Sequence, residues 1–261
     1  MSPILGIVAS SKESFTPASI ANLKAWYDAS DTGTITVSGT AVTQWNDKSA
    51  NGYNLTQGTA GFRPISGVRT QNGKNAIDFD GGDDILNAAT ASDWTFLSNT
   101  SGATVFAALF ADTASDQRFI WSTYGGSFGF VGSYQNVLAS DLMSIGTGVG
   151  NGALAAMYVD TSTPVATDNT AFTMTTQFDL GNATANQRGY IWKNGGSQTN
   201  NNPATDPASA SAPQTPLAIG NIPTYSLAWD GLICEVIIYN ALLNATDRGK
   251  VETYLAAKWG I

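Results

Sequence analysis

The segment that most restricts the fold closes the chain. Trp229-Asp-Gly-Leu-Ile-Cys-Glu-Val-Ile-Ile-Tyr-Asn240 is a run of β-branched and aromatic residues, entered through an Asp-Gly turn. After a short link the period changes. Val251, Tyr254, Leu255 and Trp259 fall at i, i+3, i+4 and i+8, one apolar stripe of a helix. Asn244 stands where an N-cap is needed, with Asp247 three residues on in place of the Glu of a capping box. A buried strand followed by one amphipathic helix predicts a β-sandwich closed by its own tail. It also marks this segment as core rather than site.

The rest of the chain repeats the β theme in shorter pieces. Strands are predicted over Thr34 to Val37, Ala41 to Trp45, Asn75 to Phe79, Thr104 to Phe110, Arg118 to Tyr124 and Ser127 to Tyr134. Others are predicted over Ala153 to Asp160, Phe172 to Leu180, Gly189 to Lys193 and Pro216 to Gly220. Thr104 to Phe110 is almost wholly apolar and reads as a central strand, and Gly125-Gly126 reads as a hairpin turn. Thr16-Pro17 opens a short helix, with Pro17 at its first position. With 43% hydrophobic residues, 27 glycines and few helical patterns, the 261 residues suit a single all-β domain. Two segments stand outside it. Residues 1–14 form an apolar arm with a polar link, and residues 194–216 hold no side chain that could anchor a core, which predicts an exposed loop.

Composition excludes several functions. There is no histidine, so Ser-His-Asp and Cys-His mechanisms and the usual zinc sites are absent. The single cysteine, Cys234, lies in the apolar closing strand and reads as a buried hydrophobe; no intrachain disulfide can form. Net charge is −8 and the 12 basic residues are scattered, which argues against nucleic acid as a partner. No secretory signal and no membrane-length apolar run is visible.

Four segments together carry a family resemblance: Leu23-Lys-Ala-Trp-Tyr-Asp-Ala-Ser-Asp31, Gln44-Trp-Asn-Asp-Lys-Ser49, Gly73-Lys-Asn-Ala-Ile-Asp-Phe-Asp-Gly-Gly-Asp-Asp84 and the closing Trp229 to Ile261. They resemble the concanavalin A-like, laminin-G-like jelly rolls of bacterial surface proteins and tailed-bacteriophage virion proteins. The resemblance implies an all-β sandwich of two antiparallel sheets over residues 15–261, with a short N-terminal helix and a closing C-terminal one. The start, Met1-Ser-Pro-Ile-Leu-Gly-Ile, is similar to the arms that attach modules to phage particles. It implies attachment through Met1, Pro3, Ile4, Leu5, Ile7 and Val8.

This fold carries lectins, glycosidases and structural modules alike. Glycoside hydrolysis needs two carboxylates flanking the bond. The glucanases of the fold carry a Glu-x-Asp-x-x-Glu strand, whereas this chain has three glutamates, Glu13, Glu235 and Glu252, and Glu235 has no acidic partner at i+2 or i+5. The expectation is no catalytic residue and no enzyme, with Glu235 a polar strand residue bonded to backbone or solvent. Asp80, Asp83 and Asp84 read as a turn, with calcium ligation as the alternative. Trp26, Trp45, Trp229 and Trp259 are assigned to the core. Trp121, Tyr124 and Trp192 lie near predicted turns, where they could stack on a sugar. The reading as a whole is a phage virion protein made in the host cytoplasm, multi-copy or homo-oligomeric, that decorates the capsid and contacts capsid or tail subunits. The alternative is a carbohydrate- or receptor-binding tail module that contacts host-surface glycans.

Overall fold

The structure is a computed structural model that describes residues 15–98, 101–113, 118–123, 131–136, 142–147, 167–184, 187–197, 215–222 and 227–261. Among the described residues fifteen strands form in chain order. They are β1 (Leu23–Asp28), β2 (Ile35–Ser38), β3 (Ala41–Trp45), β4 (Leu55–Thr56), β5 (Ile65–Gln71), β6 (Lys74–Asp80), β7 (Leu86–Asn87) and β8 (Ala103–Ala111). There follow β9 (Arg118–Ser122), β10 (Val131–Asn136), β11 (Leu142–Thr147), β12 (Thr170–Phe178), β13 (Gly189–Lys193), β14 (Ala218–Ile219) and β15 (Asp230–Tyr239). Among the described residues there is one α-helix, α1 (Ala245–Trp259), which follows β15. The helix expected at Pro17 is a single 3-10 turn, Pro17–Ser19, and a longer 3-10 segment covers Ala91–Ser98.

All ladders between these strands are antiparallel, and they link into one curled path, β11-β10-β9-β14-β7-β4-β3-β5-β6-β15-β8-β12-β13, with β1 on β15 and β2 on β3. The curl brings opposite parts of the path together over one core. Val42, Trp45, Leu55, Leu86, Trp121 and Ile219 from one side meet Val105, Leu109, Phe172, Ile233 and Val236 from the other, all essentially inaccessible to water. A second core lies on the outer face. There Phe106, Ala108, Leu232, Cys234, Ile237 and Tyr239 pack beneath Val251, Leu255 and Trp259 of α1. Strands β8 and β15 are therefore covered on both faces, which is why their sequences are nearly continuous in apolar residues rather than alternating. Each such Leu or Val side chain removed from water contributes about 1.5–3 kcal/mol.

The closing helix forms as its sequence specifies. The Asn244 side chain accepts from the Asp247 N–H at 2.9 Å, and Gly260 ends the helix at φ +69°, a left-handed value that favours glycine. Two of the helix's last carbonyls are satisfied from β5 and the turn after it: Gln71 donates to Trp259 O and Asn72 to Lys258 O.

Strand β1 has β15 on one side only. Its other edge is closed by side chains of the Asp47–Asn51 loop. The Trp26 N–H donates to Asp47 Oδ1, Ser49 Oγ donates to Lys24 O, and Asn51 Nδ2 donates to both Leu23 O and Lys24 O. Asp47 is the organiser of this loop, also accepting from the Ser49 and Tyr53 N–H groups. Two of the segments that carry the family resemblance thus meet along one strand edge.

Candidate functional site

Glu235, the one glutamate in the closing strand, is fully buried beneath α1. A β-bulge puts it there. In the β15–β8 ladder Ile233 faces Leu109 while Glu235 faces Ala108, so Cys234 is the extra residue and both 234 and 235 turn outward. Four side-chain donors surround the carboxylate. Oε1 accepts from Trp26 Nε1 at 2.7 Å and Tyr254 OH at 2.9 Å, and Oε2 accepts from Trp259 Nε1 and Lys258 Nζ, both at 2.8 Å. Lys258 also reaches Asp28 at 2.6 Å, and Lys48 joins Asp28 to Asp31 at 2.8 Å each while lying over the Trp26 ring. Burial, with Asp28 nearby, pushes the Glu235 carboxyl above its usual range against the pull of Lys258. Burial acts on Asp28 in the same sense, but hydrogen bonds from Lys258, Lys48 and Ser30 outweigh it and hold that carboxyl below the usual range. Glu235 was expected to bond to backbone or solvent; instead it is the centre of a closed side-chain network that locks α1 to β1 and β15. The same burial pushes the Cys234 thiol up, as expected for an inert hydrophobe.

The acidic segment after β6 is a turn, as read, with Gly81 at φ +74° and the Gly82 N–H donating to Asp80 Oδ1 at 2.8 Å. It also gathers ligand atoms, since one carboxylate oxygen each from Asp80, Asp83 and Asp84 lies within 4.8 Å of the others. Asp80 and Asp83 are exposed, and Asp84 is buried and accepts from the Asp80 N–H at 3.0 Å. Burial, reinforced by Asp80, Asp83 and Asp78, raises the Asp84 carboxyl to about 7. These three residues could hold a hard cation such as calcium, which takes six to eight oxygens and would draw the remainder from carbonyls and water.

Trp121 and Trp192, expected to be open to a sugar, are both buried. Trp121 is fully buried, its ring edge-on to Phe178 at 5.6 Å inside the main core. Trp192 is 3% exposed, because the Arg248 guanidinium lies 4.0 Å over its ring. β-Strand alternation decides both cases: Trp121 faces inward, and Trp192 faces outward under α1. Tyr124 and the expected attachment residues Met1, Pro3, Ile4, Leu5, Ile7 and Val8 lie outside the described residues. Trp26, Trp45, Trp229 and Trp259 are buried, as assigned.

A different aromatic group does reach the surface, at the rim between the loop after β3 and the 3-10 segment Ala91–Ser98. Tyr53 and Phe96 are half-buried around the fully buried Trp94, with ring centroids 5.5 Å (Tyr53–Trp94) and 6.2 Å (Trp94–Phe96) apart. Lys24 of β1 completes the group. Its Nζ donates to Tyr53 OH at 2.6 Å and lies 3.8 Å from the Tyr53 ring centre, 5.8 Å from Phe96 and 5.9 Å from Trp94. The Asp47 loop fixes Tyr53 through its N–H, and Tyr27 OH donates to the Tyr53 carbonyl. The group offers apolar ring surface beside a cation and a hydroxyl, the complement of a sugar's C–H face and polar rim. Sequence reasoning passed over it because its members come from three separated segments. The Asp93-Trp-Thr-Phe96 run, two aromatics in a polar stretch, was the available signal.

The sequence matches no family model and no curated protein. Solved structures do match. A sialidase of Trypanosoma rangeli, in complex with the inhibitor DANA, aligns at TM-score 0.59 and 13% identity over 92% of this chain, which spans only 34% of the sialidase. Domain 4 of AbnA, a GH43 extracellular arabinanase from Geobacillus stearothermophilus in complex with arabinotriose, aligns at TM-score 0.54 and 14% identity over 90% of this chain and 98% of that domain. The binding domain of botulinum neurotoxin DC, in complex with SialylT, aligns at TM-score 0.53 and 10% identity over 92% of this chain and 52% of that one. At such identities the likeness bears on the fold alone: these neighbours are β-sandwich, jelly-roll-like domains, and this chain shares with them a mostly β architecture built on a curled antiparallel sheet.

Proposed function

We propose that this chain is a non-catalytic carbohydrate-binding module of the concanavalin A-like type, and that it binds glycans at the Lys24–Tyr53–Phe96 rim. The observation that carries the reading is the rim itself: two half-exposed rings, stiffened from below by a buried tryptophan, beside a lysine and a phenol. Aromatic faces held by a rigid core are suited to stacking on pyranose rings at little entropic cost. The fold adds support, since solved domains that share it were determined with arabinotriose, SialylT and a sialidase inhibitor bound. A non-catalytic reading is supported by Glu235 and Asp28, two buried carboxylates that share Lys258. Both are held by lysines beneath α1, with no open face for a scissile bond. A glycan array, followed by calorimetry, tests the reading. Submillimolar binding that weakens roughly tenfold or more in Tyr53→Ala is expected, about 1.4 kcal/mol for one lost stacking face. Binding to no glycan, or binding indifferent to Tyr53→Ala and Phe96→Ala, would overturn it.

The setting we propose is the one the sequence resemblance implies, display on a phage particle through the N-terminal arm. A chain lacking residues 2–12 should then fail to incorporate into particles; full incorporation would remove the arm from the proposal.

A further inference from the structure

Resting on the glycan reading of the same rim, we propose that the ligand is an acidic glycan and that Lys24 pairs with a carboxylate on the sugar. The chain carries 20 acidic against 12 basic residues, and five of the described cations are held by carboxylates. Lys48 and Lys258 each hold two carboxylates, and Arg69 holds Asp78 and Asp112. Among the described residues no carboxylate lies within ion-pair distance of Lys24. Its ammonium has three donors, and Tyr53 OH takes one of them. The acids nearest in sequence to the rim residues do not compete for it: Asp28 is paired with Lys48 and Lys258. Asp47 is committed to the N–H groups of Trp26, Ser49 and Tyr53 and to the Ser49 hydroxyl. Asp93, on the 3-10 segment that supplies Phe96, makes no ion pair with Lys24.

The position of the ammonium gives this vacancy its chemistry. It is half-buried against Tyr53, with Trp94 and Phe96 beyond, so part of its hydration is replaced by ring faces. A partly dehydrated cation attracts an arriving anion more strongly than one in bulk water. A carboxylated sugar satisfies both parts of the rim: its ring stacks on Tyr53 or Phe96, and its carboxylate takes the two remaining donors. A neutral sugar satisfies only the first. In a chain of net charge −8 the long-range field repels an acidic glycan, so recognition depends on a local cation, and among the described residues Lys24 is the one beside the rim rings.

The test compares matched pairs, 3′-sialyllactose against lactose and trigalacturonate against arabinotriose, by calorimetry on the full chain. The wild type should bind at least one acidic member roughly tenfold more tightly than its neutral counterpart, the size of one partly desolvated ion pair. Lys24→Gln should bring that ratio to parity and Lys24→Arg should retain it. Raising the salt concentration should narrow the ratio in the wild type and leave Lys24→Gln unaffected. Equal affinity within both pairs, or a preference that survives Lys24→Gln, overturns the acidic ligand while leaving the glycan reading standing. Failure of every acidic and neutral probe to bind overturns both.

Discussion

Strand β1 carries two lysine–aromatic groups that differ in one respect. At Trp26, Lys48 and Lys258 lie against the indole rings of Trp26 and Trp259, and each ammonium is matched by two carboxylates. At Lys24, two residues away, an ammonium lies against Tyr53 with no carboxylate in reach among the described residues. The first group is beneath a helix, where an unmatched charge would cost several kcal/mol. The second is at the rim, where water tolerates the imbalance and a ligand can use it. A closed network holds the fold together, and the incomplete one is where we propose that a ligand binds.

The largest effect that could break this comparison is removal of the closed network's centre. Glu235→Ala leaves the Trp26 and Trp259 indole N–H groups buried without an acceptor and Lys258 with Asp28 alone, and should destabilise the protein by about 3–5 kcal/mol, measured as a fall in the urea midpoint. A change below 1 kcal/mol would mean the network is not closed. Asp28→Asn should cost less, on the order of 1–3 kcal/mol at neutral pH, because Lys48 keeps Asp31 and Lys258 keeps Glu235. Its signature is pH dependence. A carboxyl held below its usual range contributes stability above the unfolded-state value, near 4, and loses it as pH falls through the lower folded value. Urea unfolding at a series of pH values should show the gap between wild type and Asp28→Asn constant above about pH 5 and closing below about pH 4. The smallest effect belongs to the rim: Lys24→Gln should move stability by no more than about 0.5 kcal/mol, and a larger loss in thermal unfolding would make Lys24 a structural residue.

The sequence made some of these features visible and hid others for physical reasons. Strands β8, β12, β13 and β15 were legible because dense apolar or β-branched runs have few alternatives, and α1 was legible from its stripe and caps. β5 was missed: Ile65-Ser-Gly-Val-Arg-Thr-Gln71 has one buried residue among half-buried and exposed ones and its pairing with β6 is irregular, so no alternation survives. The two-residue strands β4 and β7 are too short to have a period. The 3-10 segment over Ala91–Ser98, which supplies Trp94 and Phe96, has no helical stripe to reveal it. Glu235 could be named from sequence, but its face could not, because strict alternation from Ile233 would have sent it into the main core and only the bulge reverses that. The tryptophans at 121 and 192 were misassigned for a related reason. Nearness to a turn says nothing about which face a strand residue takes, and in a chain covered on both faces either face can be interior. The rim group needed the tertiary structure, since Lys24, Tyr53 and Phe96 have no sequence spacing in common.

The side chains along the free edge of β1 bear on life at high density. An open strand edge is a template on which a second copy can add its own strand, and the risk grows with local concentration. Here Asp47, Ser49 and Asn51 occupy the donors and acceptors of Leu23, Lys24 and Trp26 that such a copy would need. That edge is closed to templating by the chain itself, so many copies could be crowded on one surface without being joined through it.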